Sequence, residues 1–128
     1  PIVSTLNYTL KRVPNAGLRE THWRLTHLAG VAIAYSGGAR EAYIVLGSDD
    51  RLAGSDGCNR IGGGYHLDGA KLSIAQLSST RMACVEGLEQ AERFGRALGA
   101  VTRYRIAGTH LELQDVAGVV LARFEAVS

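Results

Sequence analysis

The spacing of apolar side chains is helical in one stretch of this 128-residue chain and alternates nearly everywhere else, which directs it to a sheet packed on one or two helices. The helical stretch spans about 86–98, where Leu88, Ala91, Phe94 and Leu98 recur at steps of three and four. Glu89 with Arg93 and Glu92 with Arg96 stand in the favourable i,i+4 order, and Gly99 offers a C-terminal stop. Before it, residues 21–28 place Trp23 and Leu25 on one face and His22, Arg24 and Thr26 on the other, as a half-buried strand does. Residues 42–46 form a β-branched and aromatic run, a further strand begins at Arg51, and a short one covers 71–74. Gly54, Gly57, Gly62, Gly63, Gly64 and Gly69 crowd the stretch between them, which suits turns and bulges better than a long regular element. After the helix, 102–106, 111–114 and 119–124 are separated by hairpin-length turns and read as a meander. With no βαβ alternation, the fold class is α+β: short antiparallel strands in a curled sheet or barrel-like roll on one or two helices.

The length allows one main domain. Residues 1–17 read as an N-terminal strand and linker, with Leu6, Tyr8 and Leu10 alternating until Pro14-Asn15-Ala16-Gly17, and 18–128 as the domain proper. Opening on Pro1 rather than Met, the chain is expected to be cut from a longer one, with 1–17 the remnant of an upstream domain and any export signal also upstream. A net charge of +2, with the arginines spread along the chain, opposes a nucleic-acid groove. No apolar run reaches the length of a membrane helix.

The densest motif is Gly57-Cys58-Asn59 through Gly63 to Tyr65, with Thr80-Arg81-Met82-Ala83-Cys84 after it. It is no phosphate loop: Tyr65 follows Gly64, and the next lysine is Lys71. Asp49, Asp50 and Asp56 lack the ligand spacing of a calcium loop and suit turns. Cys58 and Cys84 are too few for a four-thiolate zinc site, and no ligand spacing joins them to His22, His27, His66 or His110. They can pair with each other in an oxidising compartment, or Cys58 can serve as a nucleophile if a histidine stands within reach.

Taken together, Thr21-His22-Trp23-Arg24-Leu25, the Gly57–Tyr65 motif, Thr80–Cys84 and Leu111-Glu112-Leu113 resemble the META domain family over about Leu18 to Phe124. A weaker likeness joins Ser4–Val13 to the end of the copper-resistance lipoprotein domain that precedes META in some envelope proteins. The META resemblance implies an α+β roll, export to the periplasm or outer membrane, often as a lipoprotein, and links to heat shock and drug resistance without a settled activity. It implies no enzyme and no cofactor. On this reading Trp23, Gly57, Asn59, Gly63, Tyr65, Thr80 and Met82 are structural, and Cys58 with Cys84 is the candidate disulfide. The expected partner is an envelope protein or a small apolar ligand. The rivals are a lipid carrier holding its ligand in the mouth of the roll, and a thiol-dependent enzyme using Cys58.

Overall fold

The computed structural model describes residues 17–33, 41–80 and 88–127. They form nine strands and one helix: β1 (His22–Leu28), β2 (Val31–Ala32), β3 (Ala42–Leu46), β4 (Arg51–Asp56), β5 (Arg60–Asp68), β6 (Lys71–Ser79), α1 (Leu88–Ala100), β7 (Arg103–Ala107), β8 (His110–Gln114) and β9 (Val120–Val127). Every ladder is antiparallel, and neighbours along the sheet are mostly neighbours in sequence. A long-range ladder, His22 opposite Val127 to Leu28 opposite Ala122, joins the two ends and closes the sheet into a ring, with β2 as a two-residue extension beside β1. The class is α+β, as the alternation and the single stripe imply.

Alternation decides what fills the ring. Trp23 and Leu25 of β1, Ile44 and Leu46 of β3, Leu72 of β6, Leu111 and Leu113 of β8 and Phe124 of β9 are all buried. A ring of this few strands has an interior just wide enough for its own side chains, and these residues occupy it. The ring is weakest between β6 and β7, where one residue pair, Lys71 with Arg103, makes the ladder. Helix α1 packs against β6, β4 and β9, burying Ala91, Phe94, Ala97 and Leu98, with the Phe94 and Phe124 rings 5.9 Å apart and tilted. The stripe predicted from spacing is therefore the face that the helix turns to the sheet.

Four expectations need correction. The glycine-rich stretch is not mainly turn: Gly62, Gly63 and Gly64 lie inside β5, a nine-residue strand with a register shift between Gly62 and Gly64. Gly63 faces the bulge on β6. A Cβ there would stand 3.0 Å from the Ala75 carbonyl oxygen and 3.2 Å from Leu77 Cα, so the strand needs glycine for close approach. Strand β6 runs on to Ser79 rather than stopping at Ile74, because Gln76, at φ +55°, shifts the alternation instead of ending it. Finally, α1 passes through Gly99 to Ala100, and Gly99 has no left-handed φ to mark a cap. Of the two helical ion pairs, Glu89 with Arg93 forms at 3.8 Å, and the Glu92–Arg96 pair does not form. The strand expected within 2–13 and the start of the helix at Glu86 lie outside the described residues.

Gly63→Val should lower the unfolding free energy by about 2–3 kcal/mol, since the added atoms meet backbone that cannot rotate away. Equal urea midpoints for variant and parent would refute the close-approach account. Gly95, inside α1, is the opposite case: nothing lies within 4 Å of its absent Cβ. Gly95→Ala should therefore raise stability by about 1 kcal/mol, read from the same unfolding curves.

Candidate functional site

The sequence motif folds into the connection between β4 and β5 and its tie to the end of β6. Asp56 starts the turn: its Oδ1 accepts the backbone N–H groups of Cys58 at 2.9 Å and Asn59 at 2.6 Å, while its own N–H donates to the Asn59 carbonyl at 3.1 Å. Gly57 takes φ +94° to turn the chain, a conformation side chains disfavour, and its N–H donates to Ser55 Oγ. Asn59 Nδ2 then donates to Cys58 Sγ at 3.2 Å. Thr80 completes the group: its Oγ1 donates to Asn59 Oδ1 at 2.9 Å and accepts from the Arg60 N–H at 3.1 Å. Asp56, Cys58 and Asn59 are all buried. Their polar groups are thus satisfied by one another, as burial requires.

Thr80→Val removes both of the hydroxyl's bonds at nearly constant volume and should cost about 1–2 kcal/mol, whereas Thr80→Ser should retain most of the stability. Hydrogen exchange at the Arg60 amide reads the effect directly. Unchanged protection in the valine variant would show the tie to be incidental.

Tyr65 and Trp23 lie elsewhere. Tyr65 is buried on β5 towards the β3–β4 turn, at the other end of β4 from Asn59, and its hydroxyl donates to the Gly47 carbonyl. Burial raises its pKa above the ordinary phenol value, with the overlying Arg19 guanidinium, 5.5 Å from the ring centre, pulling in the opposite direction. Trp23 is buried in β1 and its Nε1 donates to the Leu18 carbonyl at 3.0 Å. Met82 and Cys84 lie outside the described residues.

The described surface includes two clefts near candidate residues. One, of about 450 Å³, adjoins the Asn59–Thr80 group and runs between β6 and the first half of α1, with Leu77, Ser78, Leu88 and Gly95 among its walls. The other, of about 490 Å³, is on the outside of β1, β9, β8 and β7, where His27, His110, Arg105 and Glu125 surround the Arg123–Glu112 pair, 2.7 Å apart. The remaining histidines are placed separately: His22 stacks on Tyr43 and reaches Glu41 at 2.6 Å, and His66 is exposed on β5. Among the described residues no group of three His, Cys, Asp or Glu side chains is placed to hold a metal, and no helix is long and apolar enough to cross a membrane.

A family model, the META domain, matches residues 16–128. The chain belongs to the META domain family. No curated protein matches it. Among solved structures, the META chain is similar to an NMR structure of a protein from Burkholderia xenovorans, at 25% identity and TM-score 0.70, covering 100% of this chain and 99% of the other. A second NMR structure aligns at 20% identity and TM-score 0.66, covering 84% of this chain and 90% of that one. A DUF4847 family protein from Bacteroides vulgatus aligns at 20% identity and TM-score 0.52, covering 66% and 57%. These last two show likeness of fold alone.

The cleft beside α1 escapes a reading based on motifs. Its one sequence signal is Gly95, a glycine in the middle of an otherwise regular helical stripe.

Proposed function

We propose that this META domain is a non-enzymatic module of the bacterial cell envelope, stapled by a disulfide between Cys58 and Cys84, that serves stress or antibiotic resistance by contacting another protein. The observation that carries the reading is the mutual satisfaction of the motif's polar groups: Asp56, Asn59 and Thr80 hold one another and the adjacent backbone. Side chains engaged in this way position a hairpin, whereas catalytic groups are directed at a substrate. The disulfide is supported by the burial of Cys58 at 1% exposure and by the absence of any free cysteine among the described residues. A buried sulfur makes a poor nucleophile, which weighs against the thiol enzyme. A lipid carrier is opposed by an interior already occupied by Trp23, Phe94, Phe124 and the inward leucines.

The test is the intact mass of the protein recovered without reductant from the periplasm of a bacterial host. The expected result is a mass two hydrogens below that of the reduced form, with alkylation only after reduction. Full alkylation of both cysteines before reduction would overturn the staple and the compartment argued from it.

A further inference from the structure

Strand β6 pairs with β5 along its length, yet on its other side it meets β7 at Lys71 alone. From Ser73 to Ser79 its outer edge therefore has no strand partner among the described residues. An unpaired edge presents backbone donors and acceptors, and native folds usually blunt such edges with charge. The only charged residue of β6 is Lys71, at the paired end. Instead, the end of β6 borders the 450 Å³ cleft, with Asp56, Asn59, Ile61, Leu77 and Thr80 on the sheet side and Leu88, Ala91 and Glu92 on the helix side.

Gly95 is the second observation. It lines the same cleft, and no atom lies within 4 Å of its absent Cβ, so neither turn nor close packing accounts for a glycine that weakens its helix. Its effect is to leave room one helical turn beyond Ala91. The charge of the walls supplies the third: among the described residues, the ionisable ones lining the cleft are Asp56 and Glu92, both acidic. Leu88, half exposed at the mouth, adds an apolar surface.

On the reading that the domain works through protein contacts, we propose that the groove between the free edge of β6 and α1 binds an extended segment of a partner protein, bearing lysine or arginine between small apolar residues, as an added strand. Main-chain hydrogen bonds to β6 supply affinity, alternate apolar side chains enter the cleft beside Leu77, and a basic side chain meets Glu92.

The test is an amide-resolved NMR titration of the full, disulfide-intact chain with the peptide acetyl-Val-Lys-Val-Lys-Val-amide, its glutamate counterpart, and the Gly95→Leu variant. The expected result is saturable shifts concentrated in Ser73–Ser79 and Leu88–Gly95 with the lysine peptide, and binding about tenfold weaker or worse with the glutamate peptide. Gly95→Leu fills the groove with a better helix former, so its thermal midpoint should equal or exceed the parent's while binding falls by about tenfold or more. Absent or scattered shifts, equal binding of the two peptides, or undiminished binding by the folded leucine variant would each overturn the groove. Concentration-dependent shifts at β6 without peptide would also overturn it, assigning the edge to a second copy of the chain. None of these outcomes alters the intact-mass result, so the groove can fail while the wider reading stands.

Discussion

Trp23→Ala should lower the unfolding free energy by about 4 kcal/mol, a large part of the stability of a domain this size. The indole is fully buried at the centre of β1, whose backbone is paired with Ile44 on one side and Ala126 on the other. Truncation removes the largest side chain of the interior and opens a cavity in a ring whose strands cannot close inwards without breaking register. It also leaves the Leu18 carbonyl without the indole N–H it accepts at 3.0 Å, loosening the segment that leads into β1. Trp23→Phe isolates the second effect, keeping much of the volume and losing the bond, and should cost about 1–2 kcal/mol. Because Trp23 is the chain's one tryptophan, unfolding must be followed by circular dichroism. A loss below about 1 kcal/mol for the alanine variant would show that the ring collapses around the gap.

What could be read from the sequence was whatever depends on neighbours a few residues apart. Trp23 and Leu25 alternate with polar residues, so β1 and its inward face were legible, and the stripe Ala91, Phe94, Leu98 gave the buried face of α1. Gly63 hides the inward pattern of β5, because a residue without a side chain carries no apolar signal even where it points into the ring. Along β6, the left-handed Gln76 moves Leu77 out of phase with Leu72 and Ile74, which makes a continuing strand look finished. Closure of the ring depends on the β1–β9 ladder, whose partners His22 and Val127 lie at opposite ends of the domain, and no local periodicity encodes it. The Asn59–Thr80 tie is similar: both residues stand in the motif, but their contact exists only once β5 and β6 pair. Gly54 shows the limit most sharply. Among the glycines of its stretch nothing distinguishes it in sequence, yet in the fold a Cβ would overlap the Tyr43 carbonyl oxygen on the neighbouring strand.

Reduction should lower the thermal midpoint of the parent protein by on the order of 10–20 °C, while leaving that of a Cys58→Ala, Cys84→Ala double variant unchanged. A bond between these positions closes a loop that contains β5 and β6, and the chain-entropy estimate for such a loop is roughly 3–4 kcal/mol. The native-state reason for placing it here is the junction it would secure. At the Cys58 end Asp56 and Asn59 already hold the turn, and Thr80 ties it to the end of β6, four residues before Cys84. A covalent link across the same junction restrains the Ser79 end of β6, far from Lys71 where β7 gives the strand its single residue pair, and beside α1, which packs on β6. Loss of the link should therefore speed hydrogen exchange first in β6 and α1, ahead of the β1–β9 ladder, which does not depend on it. Equal midpoints with and without reductant would refute the staple. A uniform rise in exchange across all strands would confirm that the bond stabilises the domain while showing that the junction has no special dependence on it.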